Sequence, residues 1–337
     1  MQERGPMNEN KKKYDVLVLT ASTVDMIIEM EGTFPVEGGC SRRVRASHPE
    51  PGGEGNLMIV CSRLGGNVLP VGPIGDDYYG SYLLKAYQEQ GIETKFLKKT
   101  QDYQTPVANC IIDEKGIHSF VSTIGFSVFD GHEKAPELLE QCKGFYLCGY
   151  HLSDQTQPFC GLAMKMLESA CERNREIFFD PGPLCRDIEP KMLEEVLAKS
   201  TVVALNDEEA EALTGQKDPV RASEALRQRT KALILLKAGA RGCYAVSPDT
   251  EGRWYPGFKV PVVDTMGAGD SFLGAFIYAW LQKWDLETCV VCANAAGAAK
   301  TAKLGTGTQV PTFDETVAIM EKNGYNFPDN ARCFHRL

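Results

Sequence analysis

Short, continuously apolar segments alternate with longer helical patterns through most of this chain of 337 residues. Strands that are apolar on both faces are typical of a parallel sheet that helices cover on both sides. The predicted strands span residues 15–20, 68–74, 144–148, 177–180, 202–205 and 233–236. The predicted helices span residues 56–64, 80–90, 159–173, 190–199, 220–228 and 272–281. The pattern therefore predicts an α/β fold, doubly wound, with a mainly parallel sheet, helices on both faces and ligands outside the carboxyl ends of the strands.

Two segments depart from this alternation. Residues 30–51 are rich in Gly, Pro and Arg and have no helical period. Residues 105–121 predict two strands, VANCII and IHSFV, which a turn at residues 113–116 joins. A βαβ core does not require a hairpin, so both segments are predicted to form a small β-sheet lid over the site.

The chain carries 36 Lys and Arg against 45 Asp and Glu, a formal net charge of −9. That balance argues against a general nucleic-acid binder, which would carry a basic face. No apolar signal segment follows the first residues, and the apolar helical run at residues 272–281 is too short to cross a bilayer. We therefore expect a cytoplasmic protein with no nucleic-acid or membrane partner. Residues 14–330 are interpreted as one domain between a disordered tail at residues 1–13 and a short tail at residues 331–337.

The sharpest local signal is DTMGAGDSFLGA at residues 264–275. It follows a strand-like stretch at residues 258–263 and leads into the apolar helix at residues 272–281. The first N–H groups of a helix have no internal acceptor and the helix dipole is positive there, so small residues at this point predict an anion site. Asp270 stands where a carboxylate would take the proton of an attacking hydroxyl. The alternative is structural, a glycine turn with Asp270 as a capping residue.

This element resembles the second signature of the ribokinase-like (PfkB) carbohydrate kinases, in which Asp-Thr-x-Gly-Ala-Gly-Asp opens the catalytic helix. Every defined position of that signature is present, and the resemblance extends over roughly residues 15–311. It implies that Asp270 is the catalytic base. It also implies that the backbone of Gly267, Ala268 and Gly269 forms the anion hole for the transferred phosphoryl group.

The first signature of the same family is present with departures. Gly52, Gly53 and Asn56 resemble the Gly-Gly…Asn that contacts the sugar, but one residue is missing between Gly53 and Asn56. Asp25 stands where the family has a carboxylate that accepts two vicinal hydroxyls, and Thr23 replaces the usual Asn. The resemblance implies that Asp25, Gly52, Gly53 and Asn56 bind the substrate. A plain turn residue is the alternative for Asp25.

Further matches concern the nucleotide and its ions. The resemblance implies that nucleotide is bound by Asn206, Lys237, Gly239, Gly242 and Asn294. Glu209 completes the Asn-x-x-Glu that in the family holds Mg²⁺-bound phosphates, and a contact through water is expected because Mg²⁺ keeps most of its water ligands. The alternative is a capping box formed by Asn206 and Glu209. A solvated strand end is the alternative for Lys237, and helix packing is the alternative for Asn294. Asp264 resembles a residue that frames a monovalent cation in some members.

These matches imply an ATP-dependent phosphotransferase that phosphorylates a hydroxyl of a small sugar or sugar-like substrate, with Mg²⁺ and, as in some members, K⁺. A nucleoside kinase of the same fold is one alternative, in which aromatic residues of the hairpin stack on a base. A non-catalytic ligand-binding relative is the other, although Asp270 and the Gly-Ala-Gly are intact. In the lid, Arg42, Arg43 and Arg45 are interpreted as solvated charges, with a phosphosugar contact as the alternative. The resemblance also implies a homodimer through the lid.

Overall fold

The computed structural model describes residues 12–123 and 132–328 of the chain. Residues 1–11 of the predicted N-terminal tail and all of the predicted C-terminal tail, residues 331–337, lie outside this part. Among the described residues, no helix is long and apolar enough to cross a membrane.

A large sheet of nine strands and a separate sheet of four strands organise the molecule. The strands of the described part are β1 (Tyr14–Leu19), β2 (Val24–Met30), β3 (Val44–Pro51), β4 (Val68–Gly75), β5 (Leu97–Thr100), β6 (Val107–Ile112), β7 (His118–Ser122), β8 (Cys142–Cys148), β9 (Glu176–Asp180), β10 (Val202–Asn206), β11 (Leu233–Lys237), β12 (Cys243–Val246) and β13 (Arg253–Tyr255). In the large sheet their order is β13-β12-β11-β10-β9-β8-β1-β4-β5. Neighbouring strands pair in parallel, except that β12 runs antiparallel to both β11 and β13.

Helices cover both faces of this sheet. The α-helices of the described part are α1 (Glu54–Arg63), α2 (Tyr78–Glu89), α3 (Ala135–Leu138), α4 (Pro158–Glu172), α5 (Pro190–Lys199), α6 (Asp207–Thr214), α7 (Pro219–Arg227), α8 (Ala268–Leu281), α9 (Leu286–Thr301) and α10 (Phe313–Lys322). The six helices predicted from the sequence are among them, and their ends shift by at most four residues. The largest shift is in α8, which begins at Ala268, before the apolar run on which the prediction rested.

The strand β1 shows how the two faces are formed. All six of its residues are buried, and their side chains alternate between two hydrophobic cores. Val16 and Val18 belong to a core that they share with residues of α1, α8 and α9. Leu17 and Leu19 belong to a second core, shared with residues of α4, α5 and α7. A strand buried on both faces requires helices on both sides, so the predicted doubly wound α/β fold is confirmed.

The small sheet has the order β3-β2-β6-β7. The hairpin predicted at residues 105–121 is β6 and β7, and β3 lies at the end of the other predicted lid segment. The sequence analysis missed β2, which pairs with both β3 and β6 and starts before the predicted boundary at residue 30. This strand mixes Asp25 and Glu29 with apolar residues, so it lacks the continuous apolar character of the strands that were predicted.

The predicted strand at residues 258–263 is wrong, because this segment forms no strand. Pro261 has no N–H to give to a ladder, and the side chains of Val262 and Val263 are exposed. The segment is tied instead to the end of α9, where the N–H groups of Val263 and Asp264 donate to the carbonyl of Thr301 at 2.7 and 3.1 Å. This attachment places the following turn beside the start of α8.

Candidate active site

The start of α8 holds Asp270, the carboxylate that the sequence predicts to be the catalytic base. Gly267 is the N-cap residue and has a φ of 69°, in the left-handed region that favours glycine. Asp270 lies in the first helical turn, and its Oδ2 accepts a hydrogen bond of 2.9 Å from Nδ2 of Asn56. Burial raises the pKa of Asp270 to about 6, although the hydrogen bond from Asn56 works in the opposite direction. The carboxylate is thus aimed and poised to accept a proton near neutral pH.

The predicted anion hole is the backbone at the same helix start. The N–H of Ala268 donates to the carbonyl of Thr265 at 3.2 Å, within the turn that precedes α8. Gly269 lies in the first turn, where a helix supplies no acceptor for the N–H group. A Cβ on Gly269 would lie 3.6 Å from Nζ of Lys237, so this lysine stands beside the helix start. A backbone dipole and a cation therefore converge on one point.

Lys237 ends β11 and forms an ion pair that the sequence analysis missed. Its Nζ lies 3.1 Å from Oδ2 of Asp180, which ends β9. Burial opposes the charged lysine, but the carboxylates of Asp180 and Glu209 outweigh it and raise the pKa of Lys237. Because β9 and β11 both run parallel to β10, this ion pair lies at the carboxyl edge of the sheet, where the fold predicts a ligand site. Asp180 had only its position at a strand end as a signal.

Asn206 and Glu209 form the capping box that was the structural alternative. The N–H of Glu209 donates to Oδ1 of Asn206 at 2.8 Å, and the N–H of Asn206 donates to Oε2 of Glu209 at 2.8 Å. Burial and the neighbouring Asp180 raise the pKa of Glu209 to about 7. Within residues 12–123 and 132–328, no group of three or more His, Cys, Asp or Glu side chains is arranged to hold a metal ion. Any Mg²⁺ here would rely on phosphate and water ligands.

The four predicted substrate residues lie on three elements: β2, the turn after β3 and the start of α1. Asp25 on β2 faces the turn between β3 and α1, where a Cβ on Gly52 would lie only 2.2 Å from its Oδ1. Gly53 is the N-cap residue of α1 with a φ of 53°, and Asn56 lies in the first turn of that helix. Glycine at position 52 therefore leaves the room that the carboxylate of Asp25 occupies.

Acidic side chains surround Asp25. Burial raises the pKa of Asp25 to about 7, and the carboxylates of Asp270, Glu50 and Glu54 add to the rise, while Thr306 opposes it. Glu50 is the direct register partner of Asp25 on β3. Asp25, Glu50 and Glu54 therefore form an acidic wall on this side of the candidate site.

Glu54 of this acidic wall forms a buried pair with His151. Oε1 of Glu54 lies 3.1 Å from Nε2 of His151, and its Oε2 accepts a 3.1 Å hydrogen bond from the hydroxyl of Thr20. Burial alone would raise the pKa of Glu54, but His151 and Thr20 outweigh it and lower the pKa. Glu54 stands between Gly53 and Asn56, so the motif itself was the signal that could have found it. His151 had no such signal in the sequence.

The remaining predicted residues lie around the site's edges. Asn294 donates from Nδ2 to the carbonyls of Tyr255 and Pro256, at 3.2 and 3.3 Å. A Cβ on Gly242 would lie 2.1 Å from the same Tyr255 oxygen, while Gly239 is exposed and has open space around it. These residues shape the chain after β11 and β13, and the structure does not bring them into contact with Asp270.

Asp264, predicted as a cation residue, is buried and holds two turns together. Its Oδ1 accepts the N–H of Met266 at 2.9 Å, and its Oδ2 accepts the N–H of Gly305 at 2.7 Å. Nε2 of His118, from the small sheet, lies 3.4 Å from Oδ1. Asp264 thus connects the turn before α8, the loop at residues 305–307 and the lid.

Comparisons with known proteins agree on one family. The family model described as pfkB family carbohydrate kinase matches residues 15–313. A ribokinase from Mus musculus is 28% identical over 272 residues, which are 77% of this chain and 81% of that protein. A probable fructokinase-2 from Arabidopsis thaliana is 28% identical over 322 residues, 90% of this chain and 96% of that one. The solved structure of an adenosine kinase from Sinorhizobium meliloti has a TM-score of 0.79 at 24% identity, covering 92% of this chain and 99% of that one, and shows likeness of fold.

Proposed function

Because the chain belongs to the pfkB family of carbohydrate kinases, we propose that it transfers the γ-phosphoryl group of ATP to a hydroxyl of an uncharged sugar or polyol. As a member it is a sugar or nucleoside kinase that uses ATP. The observation that carries the finer proposal is the hydrogen bond between Asn56 and Asp270. It joins the acceptor side of the site to the carboxylate at the start of α8.

Asp270 acts as the general base in this proposal. Its Oδ2 is held by Asn56, so Oδ1 is the oxygen left to accept the hydroxyl proton. A pKa of about 6 keeps the group ionised at neutral pH, yet basic enough to take up a proton as the hydroxyl attacks. The base is charged before the reaction and neutral after the proton transfer.

The phosphoryl group would lie against the backbone of Gly267, Ala268 and Gly269, with the ammonium of Lys237 beside it. Phosphoryl transfer requires mainly positioning and charge stabilisation. The helix dipole and Lys237 supply positive potential on the side opposite the acidic wall. The γ-phosphoryl group is therefore drawn to the end of the site where Asp270 holds the attacking hydroxyl.

Nucleotide and ions complete the proposal. Asn206, Gly239, Gly242 and Asn294 would shape the nucleotide end. Glu209 would hold Mg²⁺ through water, and this fits a buried carboxylate whose neighbour Asp180 favours an added cation. Bound to the phosphates, Mg²⁺ offsets their negative charge. A K⁺ ion would be framed by the turn and loop that Asp264 connects, with carbonyl oxygens as ligands because both Asp264 oxygens accept N–H groups.

The acidic wall supports an uncharged acceptor. A phosphosugar would place a second phosphate near Asp25, Glu50 and Glu54, whose like charges oppose it. The lid arginines Arg42, Arg43 and Arg45 are exposed, which agrees with their interpretation as solvated charges. Carboxylates instead suit the vicinal hydroxyls of a polyol, because each accepts two hydrogen bonds.

One observation favours the nucleoside alternative. Tyr150 follows β8 and is 51% exposed, and a Cβ on Gly182 would lie 3.7 Å from its ring. The N–H of Gly182 donates to Asp180, so the ring stands near the partner of Lys237. An exposed ring at this place is able to stack on a base.

The small sheet supports the proposed homodimer. Its exposed apolar side chains are Val44, Ile117, Phe120 and Val121. Ile117, Phe120 and Val121 lie together at the β7 edge of the sheet, whereas Val44 lies on β3 at the opposite edge, so the β7 edge is the part of this sheet proposed to pair two copies. Sedimentation at several concentrations, with Phe120→Ser as the variant, tests whether this face pairs two copies.

ADP release with Mg-ATP over a panel of free sugars, polyols, phosphosugars and nucleosides tests the function, with Asp270→Asn as the control. We expect turnover with an uncharged sugar or polyol and its loss in the control. Turnover with nucleosides alone would support the alternative. Thermal stabilisation by a ligand without ADP release would favour the non-catalytic relative. Replacing K⁺ by Na⁺ in the same assay tests the monovalent cation.

A further inference from the structure

A buried carboxylate that takes no part in the proposed chemistry is tied to the loop beside the base. Glu50 lies near the end of β3 and is 5% exposed. Its Oε2 accepts the N–H of Thr308 at 2.8 Å, and both of its oxygens lie within 2.9 Å of the Thr308 hydroxyl. The two residues are 258 positions apart in the sequence, so this contact joins distant parts of the chain.

The other side of Thr308 is held as well. Its carbonyl accepts a hydrogen bond of 3.1 Å from Nη2 of Arg63, at the end of α1. Arg63 also donates to the carbonyl of Val310 and to Oε1 of Gln90. Burial lowers the pKa of Arg63, and the opposite charges of Glu315 and Glu50 offset only part of that effect. Thr308 is therefore clamped on both its N–H and its carbonyl side.

The residue before Thr308 carries this constraint to the site. The N–H of Gly307 donates to Oδ1 of Asn56 at 2.6 Å. Gly307 has a φ of 57°, and a Cβ there would lie 2.5 Å from Cδ of Pro51 and 2.7 Å from Oε2 of Glu50. The backbone of the loop thus lies directly on the end of β3, with no room for movement toward it.

Because its Oδ1 accepts the N–H of Gly307, the side-chain amide of Asn56 is fixed in one orientation. Its Nδ2 then donates to Oδ2 of Asp270 at 2.9 Å. We propose that Glu50 is a positioning residue for the base Asp270, acting through the loop of residues 305–308. This inference rests on the proposed function only in calling Asp270 the base. The contacts themselves can be tested without turnover.

The test compares Glu50→Gln, Asn56→Ala and the double variant. Glutamine keeps the volume and one acceptor oxygen but removes the charge and the second acceptor, so the N–H and the hydroxyl of Thr308 no longer bind a carboxylate. The matched control is Glu189→Gln, because Glu189 also accepts a backbone N–H, from Met192, but caps α5, which packs into the second core away from the loop at residues 305–308. Thr308→Val is the second variant. It removes the hydroxyl that contacts Glu50, and it serves as the test if Glu50→Gln does not fold.

The first readout is amide hydrogen exchange of the segment at residues 304–310, without substrate. We expect faster exchange there in both Glu50→Gln and Asn56→Ala, and no change there in Glu189→Gln. Unchanged exchange in Glu50→Gln overturns the inference. Because this measurement uses no acceptor, it stands even if the wild type turns over nothing on the panel, which would overturn the proposed function instead.

The second readout is kinetic. A misplaced group near the reacting atoms costs on the order of 10- to 100-fold in rate, so we expect kcat of Glu50→Gln to fall by about that factor with the KM for ATP unchanged. The double variant should lose no more than Asn56→Ala alone, because both act on one hydrogen bond. Losses that multiply would show that Glu50 serves the fold and not the base.

The pH profile separates the two roles further. The groups facing Asp270 are Asn56 and the charged side chains of Asp25, Glu54, Asp180, Glu209 and Lys237. The hydrogen bond from Asn56 lowers the pKa of Asp270, so its loss moves the acid limb of kcat/KM to higher pH. We expect that movement in Glu50→Gln and Thr308→Val. An acid limb that stays in place in Glu50→Gln overturns the inference.

Discussion

The two ends of the candidate site are built by different means. The phosphate-facing end consists of residues 267–270 and Lys237, and most of it is the backbone of one helix start. The acceptor-facing end consists of Asp25, Gly52 and Asn56, whose side chains or backbone come from β2, a turn and α1. The first end needs only a few contiguous residues, whereas the second needs three elements and the loop at residues 305–308.

The charges of the two ends differ as well. At one end a helix start and Lys237 offset the carboxylates of Asp180 and Glu209, whereas at the other end the carboxylates of Asp25, Glu50 and Glu54 lie together. This difference in charge suits a site that takes an anionic phosphate donor at one end and a neutral acceptor at the other. It also predicts that changes at the phosphate-facing end act on kcat and that changes at Asp25 and Gly52 act on the KM for the alcohol, whereas Asn56, which binds Asp270, links the two ends and acts on kcat.

Asp270→Asn should have the largest effect. General base catalysis contributes about 10²–10⁴-fold, so we expect kcat to fall by that factor. The shape of the site is preserved, because the amide oxygen still accepts the hydrogen bond from Asn56. Steady-state ADP release with a direct ATP-binding measurement checks this. Unchanged kcat would contradict the role of Asp270.

Lys237→Met should follow, with a loss of kcat of about 10², the size found for one stabilising donor. The variant also leaves Asp180 without its cation, so the melting temperature should fall. Lys231→Met is the matched control, since this exposed lysine stands just before the opposite end of β11. Equal kcat values in the two variants would show that Lys237 does not contribute to the phosphate-facing end.

Gly52→Ala should act on the other end. The added Cβ would lie 2.2 Å from Oδ1 of Asp25, so the carboxylate has to turn away. We expect the KM for the acceptor to rise on the order of 10-fold, as when one good hydrogen bond to a charged group is lost, with the KM for ATP unchanged. Gly161→Ala on α4 is the control, because nothing lies within 4 Å of its added Cβ. A larger KM for ATP would show that the two ends are not separable.

The smallest effect concerns the pH dependence of stability. The pKa of Asp270 is raised to about 6, so its contribution to stability is present below about pH 4 and is lost as the pH rises through 6. The neutral side chain of Asp270→Asn avoids this loss. Its melting temperature should exceed that of the wild type by about 2–4 °C at pH 8, and the excess should vanish near pH 4. A difference that is constant with pH would contradict the raised pKa.

Sequence reasoning predicted the parts of the molecule that depend on short-range pattern. Continuous apolar segments predicted the central strands, because a strand that is buried on both faces has apolar side chains on both faces. The turn at residues 264–270 was found because glycine spacing and a helix start are local features. The strand at residues 258–263 was wrong because β-branched residues predict a strand only where a partner strand is available, and here the partner is the end of α9.

The rest depended on contacts between distant residues. Nothing near Glu50 in the sequence points to Thr308, and nothing near Lys237 points to Asp180. Asn206 and Glu209 show the opposite difficulty, because one local pattern serves both a capping box and a metal-linked pair. The structure shows the capping box, while the part of this pair in metal binding stays a prediction.

The cysteines of the chain also make it suited to optical measurement. In the described part of the chain all of them are free thiols, and the exposed ones are Cys40 and Cys171. Cys40 lies between β2 and β3 of the small sheet, whereas Cys171 lies on α4 against the large sheet. With Cys333 replaced by serine, a donor and an acceptor dye on these two thiols would follow the distance from lid to core in single molecules. The natural sequence thus already offers two labelling positions from which the distance between the small sheet and the large sheet can be measured.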